Sequence, residues 1–415
     1  MRWFALLALL LAADAHALVY AGGPGRMVRH RRAAAAPAPA DPCGTLSTLI
    51  PGATLTRAST ATYWPCTNPD TLATAAAGEA RVEESGVLVE GARTNLLPNT
   101  EDLTSWTKQY VSVTTGPDGW TTLLSTYGGK NVHYVYQGTS KINVSSTYTA
   151  SLDARPGTTS SLFLNPGGGM NDFPVYYDVD TCTVTTAHAS VVSAGTMRLP
   201  DGACRVFATY TGAIVCNMQI GPANGTSNSY NGSSLNLSVD VRRPQHEQGA
   251  TPSSYIPTTG TPVTRAADNV ERPNSISGPT WALAITATPG PGRTWTATDN
   301  PALLAIGAAS GANRASLAVD TGALRLTVAD AAGAERYVTA TAPSAGQHRV
   351  VACSTDGALA IYVDGALASG EAAGAGTGQI GAQPSTIHVG SIAGTRHWNG
   401  HLRDLRVCSS CAECL

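Results

Sequence analysis

The stretch that decides the fold is Tyr148-Thr-Ala-Ser-Leu-Asp-Ala154. Positions 148, 150, 152 and 154 are apolar, and Thr149, Ser151 and Asp153 stand between them. Successive side chains of an extended chain point to opposite faces, so this period of two indicates a β-strand. The sequence therefore predicts a half-buried strand, with one apolar and one polar face, at residues 148–154.

Similar alternation recurs along the chain, at residues 132–136, 173–179, 324–328 and 359–363. Turn-forming pairs such as Asp201-Gly202, Asn231-Gly232 and Asp364-Gly365 separate such stretches. No amphipathic helix longer than two turns is evident in the sequence between residues 98 and 257. We therefore expect an all-β protein built from two antiparallel β-sandwiches.

The composition of the 415 residues limits the classes of function. Hydrophobic residues make up 43% of the chain, which is enough for a packed core and argues against general disorder. The formal net charge is −2, whereas a dedicated nucleic-acid binder is usually basic. We therefore expect no nucleic-acid partner.

The N-terminus has the features of a secretory leader. Arg2 supplies a positive charge, residues 3–13 are apolar, and Ala15-His16-Ala17 is similar to a cleavage site. The apolar run is short for a bilayer span. Residues 18–42 end in an Ala/Pro tract that is typical of an extended linker. The alternative to a leader over residues 1–17 is an apolar anchor that is kept in an assembly.

Nine cysteines follow the leader. A leader and this count fit an oxidising compartment, in which disulfides form. Because nine is odd, one thiol stays free or pairs between chains. The intrachain pairs that we expect are Cys43–Cys66, Cys182 with Cys204 or Cys216, and Cys353–Cys408.

Three framing segments carry a resemblance to a known family. They are Leu55-Thr-Arg-Ala-Ser-Thr-Ala-Thr-Tyr63 with Ala75-Ala-Ala-Gly-Glu-Ala-Arg81, Gly86-Val-Leu-Val-Glu-Gly-Ala-Arg-Thr-Asn-Leu-Leu97 with Trp106, and Ser253-Ser-Tyr-Ile-Pro-Thr-Thr-Gly260 with Val263-Thr-Arg-Ala-Ala-Asp268. In amino-acid sequence, order and spacing this set resembles segments of bacteriophage tail-fibre and other virion surface proteins. In that family the segments bracket a jelly-roll domain similar to carbohydrate-binding modules.

The C-terminal part carries a second resemblance. Its segments are Gln347-His-Arg-Val-Val351, Leu359-Ala-Ile-Tyr-Val-Asp-Gly365, Ile387-His-Val-Gly390 and Asn399-Gly-His-Leu-Arg-Asp-Leu-Arg-Val407. They are similar to laminin G-like, concanavalin-type sandwiches. The resemblance implies glycan binding in many members and a spacer or assembly role in others, because fold alone does not fix function.

Together these features give the domain organisation that we expect. It consists of a leader at 1–17, an Ala/Pro linker at 18–42, an N-terminal docking region at 43–97, a jelly-roll carbohydrate-binding-like domain at 98–257, a second linker at 258–275 and a laminin G-like sandwich at 276–415.

Candidate sugar-contacting residues are aromatic, because flat rings pack on the apolar face of a pyranose while amides bind its hydroxyls. Alternating tyrosines also suit core or cross-strand packing, which is the alternative for Tyr134 and Tyr136. The candidates are Trp120, Tyr127, Tyr134, Tyr136, Trp398 and Asn399.

The sequence holds no nucleophile elbow, metalloprotease helix or nucleotide-binding loop. Asp178 and Asp180 fit a turn or a solvated strand edge better than a catalytic carboxylate pair. The spacing of His397, His401, Cys408 and Cys411 is compatible with zinc, but an exported chain favours disulfides. We therefore expect no enzymatic activity, no cofactor and no metal.

The function that we expect is that of a non-enzymatic virion surface protein, a tail or head fibre or a decoration, that contacts host surface glycans. Other virion proteins would be its partners, and the resemblance implies a homotrimer. The alternatives are a secreted bacterial lectin-like protein and a purely architectural virion component. The expected location is the virion surface or, for the secreted alternative, the extracellular space.

Overall fold

The computed structural model describes residues 43–139, 145–167, 173–212, 217–276, 279–296, 300–381 and 384–415. These residues belong to one compact unit. The expected leader, the Ala/Pro linker and Cys216 lie outside the described residues. The architecture is nearly all-β with antiparallel sheets, which confirms the predicted fold class. In the described ranges, no helix combines the length and the apolar character needed to span a bilayer.

The N-terminal part of the described chain consists of a short helix and short strands. They are α1 (Leu46–Leu49), β1 (Thr54–Thr56), β2 (Ala61–Tyr63), β3 (Ala73–Ala75), β4 (Val82–Glu83), β5 (Gly86–Val89) and β6 (Arg93–Asn95).

The middle part consists mainly of β-strands. Its elements are a 3₁₀ helix (Leu103–Ser105), β7 (Thr107–Gln109), β8 (Val111–Thr115), β9 (Thr121–Ser125), β10 (Lys130–Val132), β11 (Tyr134–Gly138), β12 (Thr147–Pro156), β13 (Ser161–Asn165), β14 (Val175–Asp178), β15 (Thr183–Ala187), β16 (Val191–Arg198), β17 (Cys204–Thr211), β18 (Asn217–Pro222), β19 (Ser229–Asn231), α2 (Gly232–Leu235) and β20 (Ser238–Gln248).

The C-terminal part is again made of strands and ends in a short helix. Its elements are β21 (Val263–Arg265), β22 (Asn269–Pro273), β23 (Trp281–Pro289), β24 (Ala302–Ile306), β25 (Arg314–Asp320), β26 (Ala323–Ala329), β27 (Glu335–Thr341), β28 (His348–Thr355), β29 (Ala358–Val363), β30 (Ala366–Leu367), β31 (Thr386–Val389), β32 (Gly400–Cys408) and α3 (Cys411–Cys414).

The first sandwich, formed by β7–β9, β11–β18 and β20, has two six-stranded sheets. Their strand orders are β15-β14-β13-β18-β11-β7 and β16-β17-β12-β20-β9-β8. Inward-facing side chains such as Leu152, Leu164, Val206 and Ile220 are fully buried in one core. The burial of apolar area in this core is the main source of the sandwich's stability.

The second sandwich has two seven-stranded sheets, β1-β22-β31-β24-β25-β26-β27 and β30-β29-β28-β23-β32-β5-β4. The N-terminal strands complete both sheets, because β1 pairs with β22 and β5 pairs with β32. Leu55 and Val87 accordingly share one core with Leu317 and Val350. The first sandwich is therefore inserted, in sequence, between strands of the second.

Strand β12 contains the stretch that the sequence predicted as half-buried. Its apolar residues Ala150, Leu152 and Ala154 are fully buried, in agreement with the prediction. Its polar face is also buried, since Ser151 and Asp153 are at most 1% exposed. The prediction of a solvated face was wrong, because Arg205 of the neighbouring strand β17 covers it and donates to both side chains.

The described cysteines form four disulfides, Cys43–Cys66, Cys182–Cys204, Cys353–Cys411 and Cys408–Cys414. The first two are expected pairs, with Cys204 as the partner of Cys182. The expected Cys353–Cys408 pair was wrong. Helix α3 turns back onto β28 and β32, which brings Cys411 to Cys353 and Cys414 to Cys408. Disulfides in this number are typical of an extracellular protein.

Candidate functional site

A groove of about 240 Å³ lies on the outer face of the sheet that contains β25–β27 in the second sandwich. The strand register sets Ser316 opposite Thr327 and Leu317 opposite Leu326. Leu317 and Leu326 point into the core, so Ser316 and Thr327 point outward. The alternation along β25 and β26 thus gives this sheet an apolar inner face and a polar outer face.

Two ion pairs line the groove. Arg325 donates to Asp320 at 2.8 Å, and its guanidinium lies 3.9 Å from the centre of the Tyr337 ring. Arg314 pairs with Glu335. Each carboxylate is thus held by an arginine, which suits hydrogen bonding to a ligand better than acid–base chemistry on it.

A third guanidinium, that of Arg396, also lines the groove. Its Nε donates to the backbone carbonyl of Asn300 at 2.6 Å. Burial is the main cause that lowers the pKa of Arg396 below its usual value, and Arg325 and Arg314 add to this against the opposing effect of Asp320. Three guanidinium groups against two carboxylates leave the groove rich in hydrogen-bond donors. Such a surface suits a ligand with many hydroxyl or acidic oxygen atoms.

The framing segments meet in a buried network of charges away from the groove. Arg57 Nη1 donates to Asp268 at 2.8 Å. Arg81 donates to Glu90 at 2.6 Å and also to Asp268. Arg265 lies 3.6 Å from Glu90. All five side chains are buried, so these residues hold the segments together.

Glu90 also connects this network to the third framing segment. Its carboxylate accepts hydrogen bonds from the backbone N–H of Ser254 at 2.9 Å and from the Ser254 hydroxyl at 2.7 Å. Burial alone would raise the pKa of Glu90. Arg265, Arg81 and the Ser254 hydrogen bonds outweigh burial and hold the pKa well below its usual range. Glu90 is therefore ionised in the folded protein.

Trp120 lies in a structural cluster of the first sandwich. It is 6% exposed, and the guanidinium groups of Arg242 and Arg155 lie 4.0 and 4.6 Å from its ring centre. These cation–π contacts and the burial occupy the ring. Trp120 is therefore a packing residue in the structure and not the sugar-contacting residue that the sequence predicted.

Tyr134 and Tyr136 lie on the outer face of the sheet that contains β11, with ring centres 5.9 Å apart. Tyr134 is only 7% exposed and belongs to a cluster with Phe163 and Tyr176. This burial corrects the sugar-contact prediction for Tyr134 in favour of cross-strand packing. Tyr136 is half-buried at the margin of the same cluster.

Tyr127 differs from the other aromatic candidates because its ring is presented to solvent, with 43% of the residue exposed. Its ring centre lies 4.4 Å from that of Tyr110. The backbone of Tyr110 has a φ of 55°, a conformation that is costly for a residue with a large side chain. The two tyrosines form an aromatic pair at the surface of the first sandwich, with Tyr127 exposed and Tyr110 half-buried.

Trp398 and Asn399 serve the packing of the second sandwich. Trp398 is 1% exposed, its ring centre lies 5.0 Å from that of Trp295, and its indole N–H donates to the carbonyl of Thr288 at 3.1 Å. Asn399 Oδ1 accepts from the backbone N–H of Gly91 at 2.8 Å. Burial thus corrects the sugar-contact prediction for Trp398, and Asn399 joins the N-terminal part to the sandwich.

The alternatives of a carboxylate pair and of a zinc site gain no support. Asp178 accepts from the backbone N–H groups of Asp180 and Thr181, both at 3.0 Å, and so caps a turn. The Thr181 hydrogen bond is the main cause that lowers the pKa of Asp178. Cys408 and Cys411 are both in disulfides and offer no thiolate to a metal.

Sequence reasoning did not identify the groove. Arg325 and Thr327 were visible as the polar members of the alternating stretch 324–328, which indicates an outward face but not a concave one. Arg314 and Arg396 reach the same groove from distant positions in the sequence, and no local pattern links them.

Comparisons with known proteins agree with this architecture for the C-terminal part. Residues 267–412 match the laminin G model that is described as "Concanavalin A-like lectin/glucanases superfamily". No curated protein matches the chain. Among solved structures, domains LG4-5 of the mouse laminin alpha1 chain match with 15% identity, covering 68% of this chain and 87% of that chain. The TM-score of this match is 0.24. Residues 267–412 thus contain a laminin G-like, concanavalin A-type lectin domain.

Proposed function

We propose that this chain is a non-enzymatic surface protein of a bacteriophage virion, a tail or head fibre or a decoration, that contacts host surface glycans. The observation that carries the glycan contact is the polar groove of the lectin-type sandwich. Arg325, Arg396 and Ser316 line it with donors and acceptors, and Tyr337 underlies Arg325. Polar hydrogen-bonding groups gathered in one groove suit a saccharide.

The first sandwich adds a second proposed contact. The exposed ring of Tyr127, which packs against Tyr110, offers a flat apolar surface to a sugar ring. Tyr136 is a further candidate for sugar contact, because it is only half-buried. Single sugar sites of this kind are shallow, so several copies in an assembly would raise the overall avidity.

The framing segments support the virion role. They resemble the segments that bracket the jelly-roll domain in virion surface proteins, and here they join the first sandwich to the second through the network of Arg57, Arg81, Glu90, Arg265 and Asp268. The resemblance also motivates the proposed partners, which are other virion proteins and two further copies of this chain in a homotrimer.

A secreted bacterial lectin-like protein is the second candidate function. The leader-like N-terminus and four disulfides among the described residues favour it, because both are typical of exported proteins. A purely architectural virion component would differ from the first proposal only in the absence of ligand binding.

Peptide mass spectrometry on purified particles and on cell-free medium separates these functions. Stoichiometric peptides of this chain in particles would support the virion role, and a mature N-terminus near Leu18 would show in addition that the leader is cleaved. Recovery of the chain only as free protein in the medium would overturn the virion role in favour of the secreted lectin.

A further inference from the structure

A second cavity, of about 350 Å³, lies where the N-terminal part, the first sandwich and the second sandwich meet. We call it the junction cleft. Tyr63, Trp64 and Glu83 line it from the N-terminal part, Arg243 from the first sandwich, and His401 from the second. No element of the groove described above takes part in it.

Glu83 holds two walls of the junction cleft in place. Its Oε2 lies 2.7 Å from Nε2 of His401, which is 318 positions away in the chain. Its Oε1 accepts from the backbone N–H of Trp64 at 2.9 Å. A carboxylate oxygen has two acceptor positions, so each oxygen can accept a further hydrogen bond from a ligand. The Glu83 carboxylate is thus held in place to accept a hydrogen bond from a ligand hydroxyl.

Arg243 is aimed into the cleft by a distortion of its strand. The register between β12 and β20 shifts between Ser151 and Asp153, and Arg243 has a φ of 53° at this bulge. Bulges redirect side chains, and strained backbone is retained where the surrounding structure enforces it. The Arg243 guanidinium lies 3.2 Å from Asp153 and 5.3 Å from the centre of the Trp64 ring.

The lining has both signs of charge, which selects against a charged ligand. Asp153 is paired with Arg205 at 2.8 Å and with Arg243, and Glu83 contacts His401. A neutral ligand that carries both donors and acceptors matches such paired groups without leaving a charge unbalanced. The half-buried rings of Tyr63 and Trp64 add apolar faces beside these polar groups.

One hydroxyl in the cleft has no partner in the part of the chain that the structure describes. It is Oγ1 of Thr288, which is buried although its residue lines the cavity. A buried polar atom without a hydrogen bond is costly, so a ligand hydroxyl that reached Oγ1 from the cleft would be bound there.

We propose that the junction cleft is a further binding site, for one neutral monosaccharide or disaccharide unit at the end of a glycan. Glu83, Arg243 and Thr288 bind its hydroxyls, and Trp64 packs on its apolar face. This inference rests on the proposed glycan binding but assigns it to a site separate from the groove. Because three parts of the chain form the cleft, the bound sugar also holds those parts together.

The test uses ligand-observed NMR titrations of the full chain with a panel of neutral monosaccharides and disaccharides. The variants are Trp64→Leu and Thr288→Val in the cleft, Arg325→Gln in the groove, and Thr286→Val as a matched control on the same strand β23. Thr288→Val removes a hydroxyl without breaking a described hydrogen bond, so it keeps the test valid if Trp64→Leu fails to fold.

We expect one neutral sugar to bind, with affinity lowered about tenfold or more by each cleft variant that folds and unchanged by Thr286→Val. Equal binding by wild type and Thr288→Val would overturn the cleft proposal. So would the absence of any neutral-sugar binding. If larger or acidic glycans bound through Arg325 in that case, the proposed function would stand while the cleft proposal failed.

Discussion

Arg57 and Asp268 are 211 positions apart in the chain, yet Nη1 of Arg57 lies 2.8 Å from Oδ1 of Asp268 and both side chains are fully buried. Asp268 also accepts from Arg81 and from the backbone N–H of Glu90. One carboxylate thus connects the segments that precede and follow the first sandwich.

Replacement of that carboxylate should weaken the whole protein. Asp268→Asn leaves Arg57 buried without its anion and Arg81 with Glu90 alone, so we expect a loss of about 3–5 kcal/mol in the free energy of unfolding. Urea unfolding measures it. Asp118→Asn is the control, because its pair with Arg155 is about half exposed and screened by solvent. A similar small change in both variants would contradict the role of Asp268.

Acid should destabilise the protein in two stages. Burial lowers the pKa of His246 to about 3, so the unfolded chain binds a proton more readily than the folded one. Stability is therefore complete above the ordinary histidine pKa of about 6.5 and falls by up to about 1.4 kcal/mol per pH unit as the pH drops towards 3. The lowered pKa of Glu90 adds a loss below the ordinary glutamate pKa of about 4.3.

The variant His246→Gln tests the first of these two stages by itself. Glutamine does not titrate and can still accept a hydrogen bond from the Tyr210 hydroxyl, which lies 2.7 Å from His246 Nε2. Urea unfolding between pH 4.5 and 8 should show a much flatter pH dependence for this variant than for wild type. Parallel curves for the two proteins would refute the assignment to His246.

The two C-terminal disulfides should contribute unequally. The pair Cys353–Cys411 spans 58 positions and Cys408–Cys414 spans 6. Loop-closure entropy assigns about 4 kcal/mol to the longer loop and about 2 kcal/mol to the shorter. Thermal unfolding of the double-alanine variants Cys353→Ala/Cys411→Ala and Cys408→Ala/Cys414→Ala compares them directly. The reverse order would show that native packing around α3 outweighs loop closure.

Substitution of a packing aromatic residue should lower stability, whereas substitution of a sugar-contacting one should lower glycan affinity. Trp398→Ala removes a buried indole and should cost about 3–5 kcal/mol of stability, with little change in glycan affinity of the protein that remains folded. Tyr127→Ala should lower glycan affinity and alter stability far less, because the ring is exposed. Denaturant unfolding and glycan titration on both variants check the two halves. Loss of affinity in Trp398→Ala alone would invert the assignment.

Local patterns were enough to predict the all-β class, because alternation and turn residues act over a few positions. The alternating row at 324–328, for example, is strand β26, with Leu324, Leu326 and Val328 in the core. Burial of the polar face of β12 depends on Arg205 of another strand, and the Cys353–Cys411 pair depends on the return of helix α3. Such long-range contacts leave no local signal in the sequence.

The candidate site was harder to predict for the same reason. An isolated aromatic residue in a sequence does not reveal which of its faces a neighbour will cover, and Arg242 and Arg155 cover Trp120 from other strands. The groove needs Arg325 from a strand and Arg396 from a loop, and the two residues lie far apart in the sequence. Only the outward position of Arg325 could be inferred from its pattern.

The most direct test of the central claim is binding of the purified full chain to an array of the host's surface glycans, with wild type and Arg325→Gln compared. The account predicts that wild type binds at least one glycan and that the folded variant binds it about tenfold more weakly. Equal binding by the two proteins, or no binding by wild type, would contradict glycan recognition by the groove.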